Sequence, residues 1–379
     1  MNAPTTIERS HCVLTGAHDL QTIRTLPRFP VHMGCVSDPP EADLFAPMTW
    51  TQSSSSGSLQ LNPLVPLELV YLGAHNATIG ETWRTHHREF AAFLDASGPK
   101  RVLEFGGADG FLASIVRERL ADVAWTIIDP NPTVDDDSIT VVRGLVEPGM
   151  SIPDDVDTIV HSHFLEHVYE PRALLEWIAT AARVGTRMVF SLPSMLQQLQ
   201  HGYANALNFE HTVFLRHEYA RWLLETTGFE LVRTQEFRDH SIFFECVVVD
   251  SGRRSVTPLP LLGAENRALL EAFLDGMTAD VRDLSARIDS WPGEVYLFGA
   301  HVFAQFLLAT GLPEARISGL LDNNPAKAGR RLYGSNLVVS APSVLAGRRD
   351  TAVILRAAHY NDEIRRQIKK EINGDIEFW

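Results

Sequence analysis

The chain has 379 residues, 45% of them apolar and 21% charged, an ordinary globular composition with room for two or three domains. Its 33 basic against 47 acidic residues give a formal charge of −14, which leaves no basic stripe for a phosphate backbone and favours a small-molecule ligand over nucleic acid. Three scattered cysteines, Cys12, Cys35 and Cys246, and an N-terminus without a basic segment ahead of an apolar core predict a reduced, cytoplasmic setting. No membrane association is expected, because FAQFLLATGL, an apolar run, is broken by Gln305 and Gly311.

Residues 1–75 are rich in proline and short of periodicity, so SDPPEADLFAP and TQSSSSGS read as loop linking short strands. His11, Cys12, His32 and Cys35 are residue types that could hold a metal. Trp83, Phe90, Phe93 and Leu94 then recur at helical spacing and Gly98 ends the run, which places His86 and His87 on the solvated face. His75 and Asn76 fall in the loop before this helix, where His75 is either a substrate contact or a plain loop residue.

The stretch KRVLEFGGADGFLASIV organises the chain. An apolar run ends on Glu104, a turn of Gly106, Gly107, Ala108 and Gly110 follows, and a helix starts at Phe111. The next strand ends in Asp129, placed to accept hydrogen bonds from ribose hydroxyls. A dinucleotide fingerprint needs glycines at its first, third and sixth positions, and here those hold Gly106, Ala108 and Phe111, so a pyrophosphate is poorly served.

Further on, the triple aspartate after Val134 reads as an exposed turn, with a short strand ending near Arg143 behind it. The fourth strand spans 156–161 and the helix at 171–183 opens on Pro171. RMVFSLPS is the fifth strand, and residues 229–250 read as two strands around a turn at 238–241 that holds His240. Leu269, Leu270, Phe273, Leu274, Met277, Val281 and Leu284 mark one long amphipathic helix over 262–290. The remainder alternates strand and helix as a second parallel unit, in which Gly299 and Asp322 repeat the separation of Gly106 and Asp129. His301 stands where that unit's second glycine would be and blocks a pyrophosphate.

Glu104, Gly106 and Gly110 resemble the ExGxxxG first motif of class I S-adenosylmethionine-dependent methyltransferases, and HSHFLEHVYEP resembles the segment that follows their fourth strand. The chain as a whole is similar to the deoxysugar C-methyltransferases that act on nucleotide-linked sugars. That resemblance implies an α/β fold: a Rossmann-like methyltransferase sheet over 76–255, an N-terminal lobe over 1–75, a connecting helix over 256–292 and a smaller Rossmann-like substrate-binding domain over 293–379. It implies S-adenosylmethionine as cofactor, bound by Glu104, Gly106, Gly107, Gly110, Asp129, Ser162 and His163, with Glu166 and His167 either fixing a turn or sharing in the chemistry. It also implies a nucleotide-sugar acceptor and a role in carbohydrate biosynthesis, and it is compatible with a homodimer.

In the family a Y-x-E-H segment carries the base. Asn208, Phe209, Glu210 and His211 stand there, so His211 is expected as general base, Glu210 as the residue orienting it, and Asn208 in the place of the tyrosine. Without that phenol, methylation at carbon beside a ketone and methylation of a hydroxyl both stay open, as does a substitute phenol at Tyr203. His75, Asn76, Tyr203, His240 and His359 are expected to touch the substrate, and Asp322, Asn324, Pro325, Lys327, Gly329 and Gly334 match the family's C-terminal DxNPxKxGrxxxG stretch. The family's N-terminal zinc pairs reduce to Cys12 with Thr15 and Ser53 with Ser56, which predicts loss of the metal. A methyltransferase for another small natural product, and a non-catalytic binding protein on the same fold, are the competing readings.

Overall fold

A computed structural model describes residues 4–71, 80–250 and 257–379. The elements run β1 (Leu20–Pro30), β2 (Cys35–Val36), β3 (Phe45–Ser53), β4 (Leu59–Leu61), α1 (Leu67–Val70), α2 (Glu81–Asp95), β5 (Arg101–Phe105), α3 (Phe111–Arg119), β6 (Ala124–Asp129), β7 (Thr140–Arg143), β8 (Thr158–Ser162), α4 (Pro171–Ala181), β9 (Arg187–Pro193), α5 (Met195–Gln200), α6 (His217–Thr227), β10 (Phe229–Phe237) and β11 (Ser241–Val248). After the long helix α7 (Gly263–Ser290) come β12 (Glu294–Phe298), α8 (Val302–Thr310), β13 (Gly319–Leu321), β14 (Arg331–Leu332), β15 (Val339–Ser340), β16 (Thr351–Leu355), α9 (Asn361–Gln367) and β17 (Glu377–Phe378).

The central sheet has seven strands in the order β10-β11-β9-β8-β5-β6-β7, parallel from β9 to β7 and closed by the antiparallel hairpin β10–β11. Its strands are apolar on both faces because helices cover both. Val102, Ile127, Val160 and Val189 meet α2 and α3 on one side. Their neighbours Leu103, Ile128, Ile159 and Phe190 meet α4 and α6 on the other, as the two-residue period of a strand requires.

A second parallel sheet, β15-β13-β12-β16-β17, carries the C-terminal unit. It does not have a core to itself. Phe29, Met48 and Trp50 of the N-terminal strands, Phe273, Val281 and Leu284 of α7, and Leu297, Phe306 and Leu320 of the C-terminal unit belong to one buried cluster. α7 thus packs across both halves, and β2 pairs with β14 in a separate two-stranded sheet that ties the N-terminal residues to the C-terminal unit.

Two expectations need correction. The N-terminal residues form a real antiparallel sheet, β1-β3-β4, with an eleven-residue β1. Its prolines are tolerated because β1 is an edge strand whose register breaks between Leu26 and Phe29. His86 is not solvated: it is fully buried, packed against Phe90, Phe237 and Phe243. His87 is half-buried, with Nδ1 on the Trp83 carbonyl at 2.9 Å.

Candidate active site

The carboxyl ends of the parallel strands open into a cavity of about 1300 Å³ that also reaches the C-terminal sheet. This is where an open α/β sheet binds its ligands. Ala108, His163 and Ala358, all lining it, hold positive φ values of 40, 50 and 52°, backbone strain of the kind that gathers at functional sites.

One end is built by the glycine turn. A β-carbon on Gly107 would lie 2.8 Å from Ile127 Cγ2 and 2.9 Å from the Glu104 carboxyl, so the backbone lies flat on the strand ends. Asp129 is held at the rim by two amides, Ala108 N to Oδ2 at 3.0 Å and Asn131 N to Oδ1 at 2.7 Å. A carboxylate has about four acceptor sites, so two backbone donors leave it able to take ribose hydroxyls.

Glu104 is buried beneath the turn and accepts from Trp125 Nε1 at 2.7 Å. Burial pushes its carboxyl up to about 8, with the Trp125 bond acting in the opposite direction. A flat glycine cradle and a rim carboxylate fit an adenosine ribose, and the neutral carboxyl beside them can ionise against a cationic ligand. Gly110 does not line the cavity. It starts α3 at φ 71° against Val134, which is a structural task.

The other end is the turn at 208–211. His211 Nδ1 lies 3.2 Å from the Ala206 carbonyl. A carbonyl only accepts, so Nδ1 carries the proton and Nε2 keeps its lone pair. Burial, partly offset by Glu210, holds the imidazole below its usual range, hence neutral near pH 7. Asn208 departs from expectation. Its Oδ1 accepts from the amides of Glu210 (2.7 Å) and His211 (3.0 Å), and its Nδ2 donates to Asn205 O at 3.0 Å. The amide oxygen and one of its two N–H groups are thus engaged in shaping the turn, while the residue still lines the cavity.

Residues given little weight in the sequence gather around His211. His167 meets its ring edge-on at 5.0 Å, shares a hydrogen bond of 2.8 Å between Nδ1 and Tyr71 Oη, and approaches Glu210 Oε2 at 3.6 Å and Glu166 Oε1 at 3.7 Å. Glu166 is fully buried and its carboxyl is pushed up to about 8. The doubled Glu-His pair, at 166–167 and at 210–211, was the available signal. Tyr71 had none.

Ser162 bonds Ser191 Oγ at 2.9 Å, and His163 reaches Ser241 Oγ through Nε2 at 2.8 Å. Of the expected substrate residues, His240 and His359 line the cavity. Tyr203 does not; it packs on His359 at 4.7 Å. His75 and Asn76 lie outside the described residues. In the C-terminal unit Asp322 repeats the construction of Asp129, with Ala300 N on Oδ2 at 3.0 Å and Asn324 N on Oδ1 at 2.9 Å. Here Lys327 Nζ also binds Oδ2 at 2.9 Å, so a cation takes the place a ribose would use.

At the N-terminus, Cys12 Sγ sits 3.5 Å from Ser56 Oγ and 3.3 Å from Ser58 Oγ, and Thr15 also bonds it. One thiol among hydroxyls is a poor donor set for zinc. The alternative set does not assemble, because His11 pairs with Glu170, His32 with the Val70 carbonyl and Cys35 with the Ala300 carbonyl.

Residues 77–234 match the family described as a methyltransferase domain. No curated protein matches the chain. Among solved structures, the mitomycin 7-O-methyltransferase MmcR is 20% identical over 44% of this chain and 53% of that one, TM-score 0.37. Human N-acetylserotonin methyltransferase is 18% identical over 45% and 53%, TM-score 0.39. The magnesium protoporphyrin IX methyltransferase of Synechocystis PCC 6803 is 16% identical over 46% and 90%, TM-score 0.35. The chain thus spans about half the length of the first two. No helix among the described residues is long and apolar enough to cross a membrane. The seven-stranded sheet, its glycine cradle and the family match make residues 77–234 a class I methyltransferase domain that uses S-adenosylmethionine as cofactor.

Proposed function

We propose that the protein methylates a sugar, carried on a nucleotide, with His211 as general base. The observation that carries this reading is the position of His211: a neutral imidazole, fixed by the Ala206 carbonyl, lining the same cavity as Gly106, Gly107 and Asp129. Residues 76–255 would act as the catalytic domain. Asn323, Lys327 and Arg366 of the C-terminal unit, which line the far end of that cavity, would meet the acceptor's phosphates.

S-adenosylmethionine, bound along the glycine turn, supplies an electrophilic methyl group. The chain must then position the acceptor in line and remove a proton. His211 Nε2 takes that proton. Glu210, buried beside it, favours the imidazolium that results. Tyr71 is a phenol lining the cavity near His211, and with the proton on His167 Nδ1 its hydroxyl would donate to an oxygen gaining negative charge.

Carbon methylation beside a ketone uses all of these groups. Methylation of a hydroxyl needs the base alone, and asparagine at 208 in the place of the tyrosine favours it as the second reading. Incubation with S-adenosylmethionine and a panel of nucleotide-linked keto sugars in deuterated water tests both. Exchange beside the carbonyl with gain of a methyl supports the first, and methylation without exchange supports the second. Transfer to none of the sugars would remove the sugar assignment.

A further inference from the structure

We propose that His86, His163 and His240 form a binding site for one divalent transition-metal ion of the zinc class. The three residues come from α2, from the turn after β8 and from the β10–β11 turn, and each offers a ring nitrogen within 4.8 Å of the others. Their ring centroids form a nearly equilateral triangle of 5.3, 5.3 and 5.5 Å. Zinc–imidazole bonds of about 2.0–2.1 Å would need the nitrogens to close by roughly 1 Å, a side-chain adjustment.

The site is unsatisfied as it stands. His86 is fully buried, yet neither ring nitrogen has a hydrogen-bond partner among the described residues, an arrangement packed cores avoid. His163 Nε2 and His240 Nδ1 converge on the single hydroxyl of Ser241, at 2.8 and 2.5 Å. His163 is held at φ 50°, a strained backbone that fixes where its ring points.

On its other side, His163 Nδ1 lies 3.8 Å from Glu166 Oε1, and neither oxygen of that buried carboxyl has a hydrogen-bond partner. This is the outer carboxylate that commonly orients a metal-binding histidine. An all-imidazole donor set suits zinc, copper, nickel or iron over magnesium or calcium.

A second group, Glu166, His167 and His211, also has ligand atoms within that distance. It is a weaker candidate because both of its histidines have a partner, Tyr71 on His167 and Ala206 on His211, whereas neither ring nitrogen of His86 has one among the described residues. His163 and His240 line the cavity while His86 lies behind them, and the Trp83 indole packs against all three rings, with centroids 5.2, 4.9 and 4.9 Å from His86, His163 and His240. The metal site does not depend on the methyltransferase reading.

The test uses the full chain stripped with a chelator, titrated with Zn²⁺ by calorimetry and with Co²⁺ by visible absorption. One equivalent is expected. His86→Gln and His240→Gln should each weaken binding at least 100-fold, Glu166→Gln about 10-fold, and His211→Ala should leave it unchanged. Titration of each variant with S-adenosylhomocysteine reports whether it has folded. The proposal is overturned if the wild type takes up neither ion at micromolar concentration, or if both glutamine variants bind as the wild type does. A wild type that binds metal but not S-adenosylhomocysteine would sink the methyltransferase reading and leave the metal site standing.

Discussion

Gly107 offers the cleanest perturbation of the cofactor cradle. Its φ is not positive, so alanine meets no backbone penalty and the whole effect is steric. The added methyl would sit 2.8 Å from Ile127 Cγ2 and 2.9 Å from the Glu104 carboxyl. Ile127 is fully buried and Glu104 is held by Trp125, so neither can retreat cheaply.

Overpacking of this kind costs about 1–3 kcal/mol. If the turn lifts to relieve it, the cofactor loses its close approach, and each 1.4 kcal/mol is a tenfold loss of affinity. Gly107→Ala should therefore lower the melting temperature by several degrees and weaken S-adenosylhomocysteine binding roughly tenfold or more. Gly144→Ala is the control, since a β-carbon there meets nothing within 4 Å and the backbone likewise permits it. Scanning calorimetry and isothermal titration of the two variants decide the matter. If Gly107→Ala matches Gly144→Ala in both, the turn does not lie where it is described.

Three further outcomes follow from other parts of the molecule. Arg331 makes a buried bidentate pair with Asp43, at 2.6 and 2.8 Å, that joins β14 of the C-terminal unit to the loop before β3. Asp43→Ala strands the guanidinium and should cost about 3–5 kcal/mol in denaturant unfolding; a loss under 1 kcal/mol would mean the pair is solvated. Stability should peak near pH 6.5. His86, His163, His211 and His240 have lowered values, so the unfolded chain binds more protons below 6.5 and acidification destabilises. Glu104 and Glu166 are raised to about 8, so the folded chain holds their protons longer and stability falls as pH rises toward 8. Melting curves that rise steadily from pH 6.5 to 8 would contradict these burials. Tyr71→Phe should reduce turnover on a keto sugar by about 10²-fold while cofactor affinity holds, and equal turnover would remove Tyr71 from the chemistry.

The sheet was legible because strands buried on both faces read as apolar runs, and Glu104, Gly106 and Asp129 mark the cofactor end by spacing alone. His211 was legible through its motif. His86 and Tyr71 were hidden for one reason: their partners are distant in sequence. Whether His86 faces water or core depends on Phe237 and Phe243, in the hairpin that follows some 150 residues later. Asn208 looks like a substrate donor until its oxygen is seen on the two amides that follow it. Tyr71 joins the site through His167, a contact that no local pattern announces. β1 hid behind its prolines, which an edge strand with a broken register accommodates.

The central claim is that the imidazole of His211 serves the reaction held by the cradle at Gly107 and Asp129. The most direct measurement pairs calorimetry and turnover on His211→Ala. The account predicts S-adenosylmethionine affinity within a few fold of wild type and methyl transfer reduced by about 10²–10⁴-fold. Undiminished transfer, or loss of cofactor binding together with transfer, would contradict it.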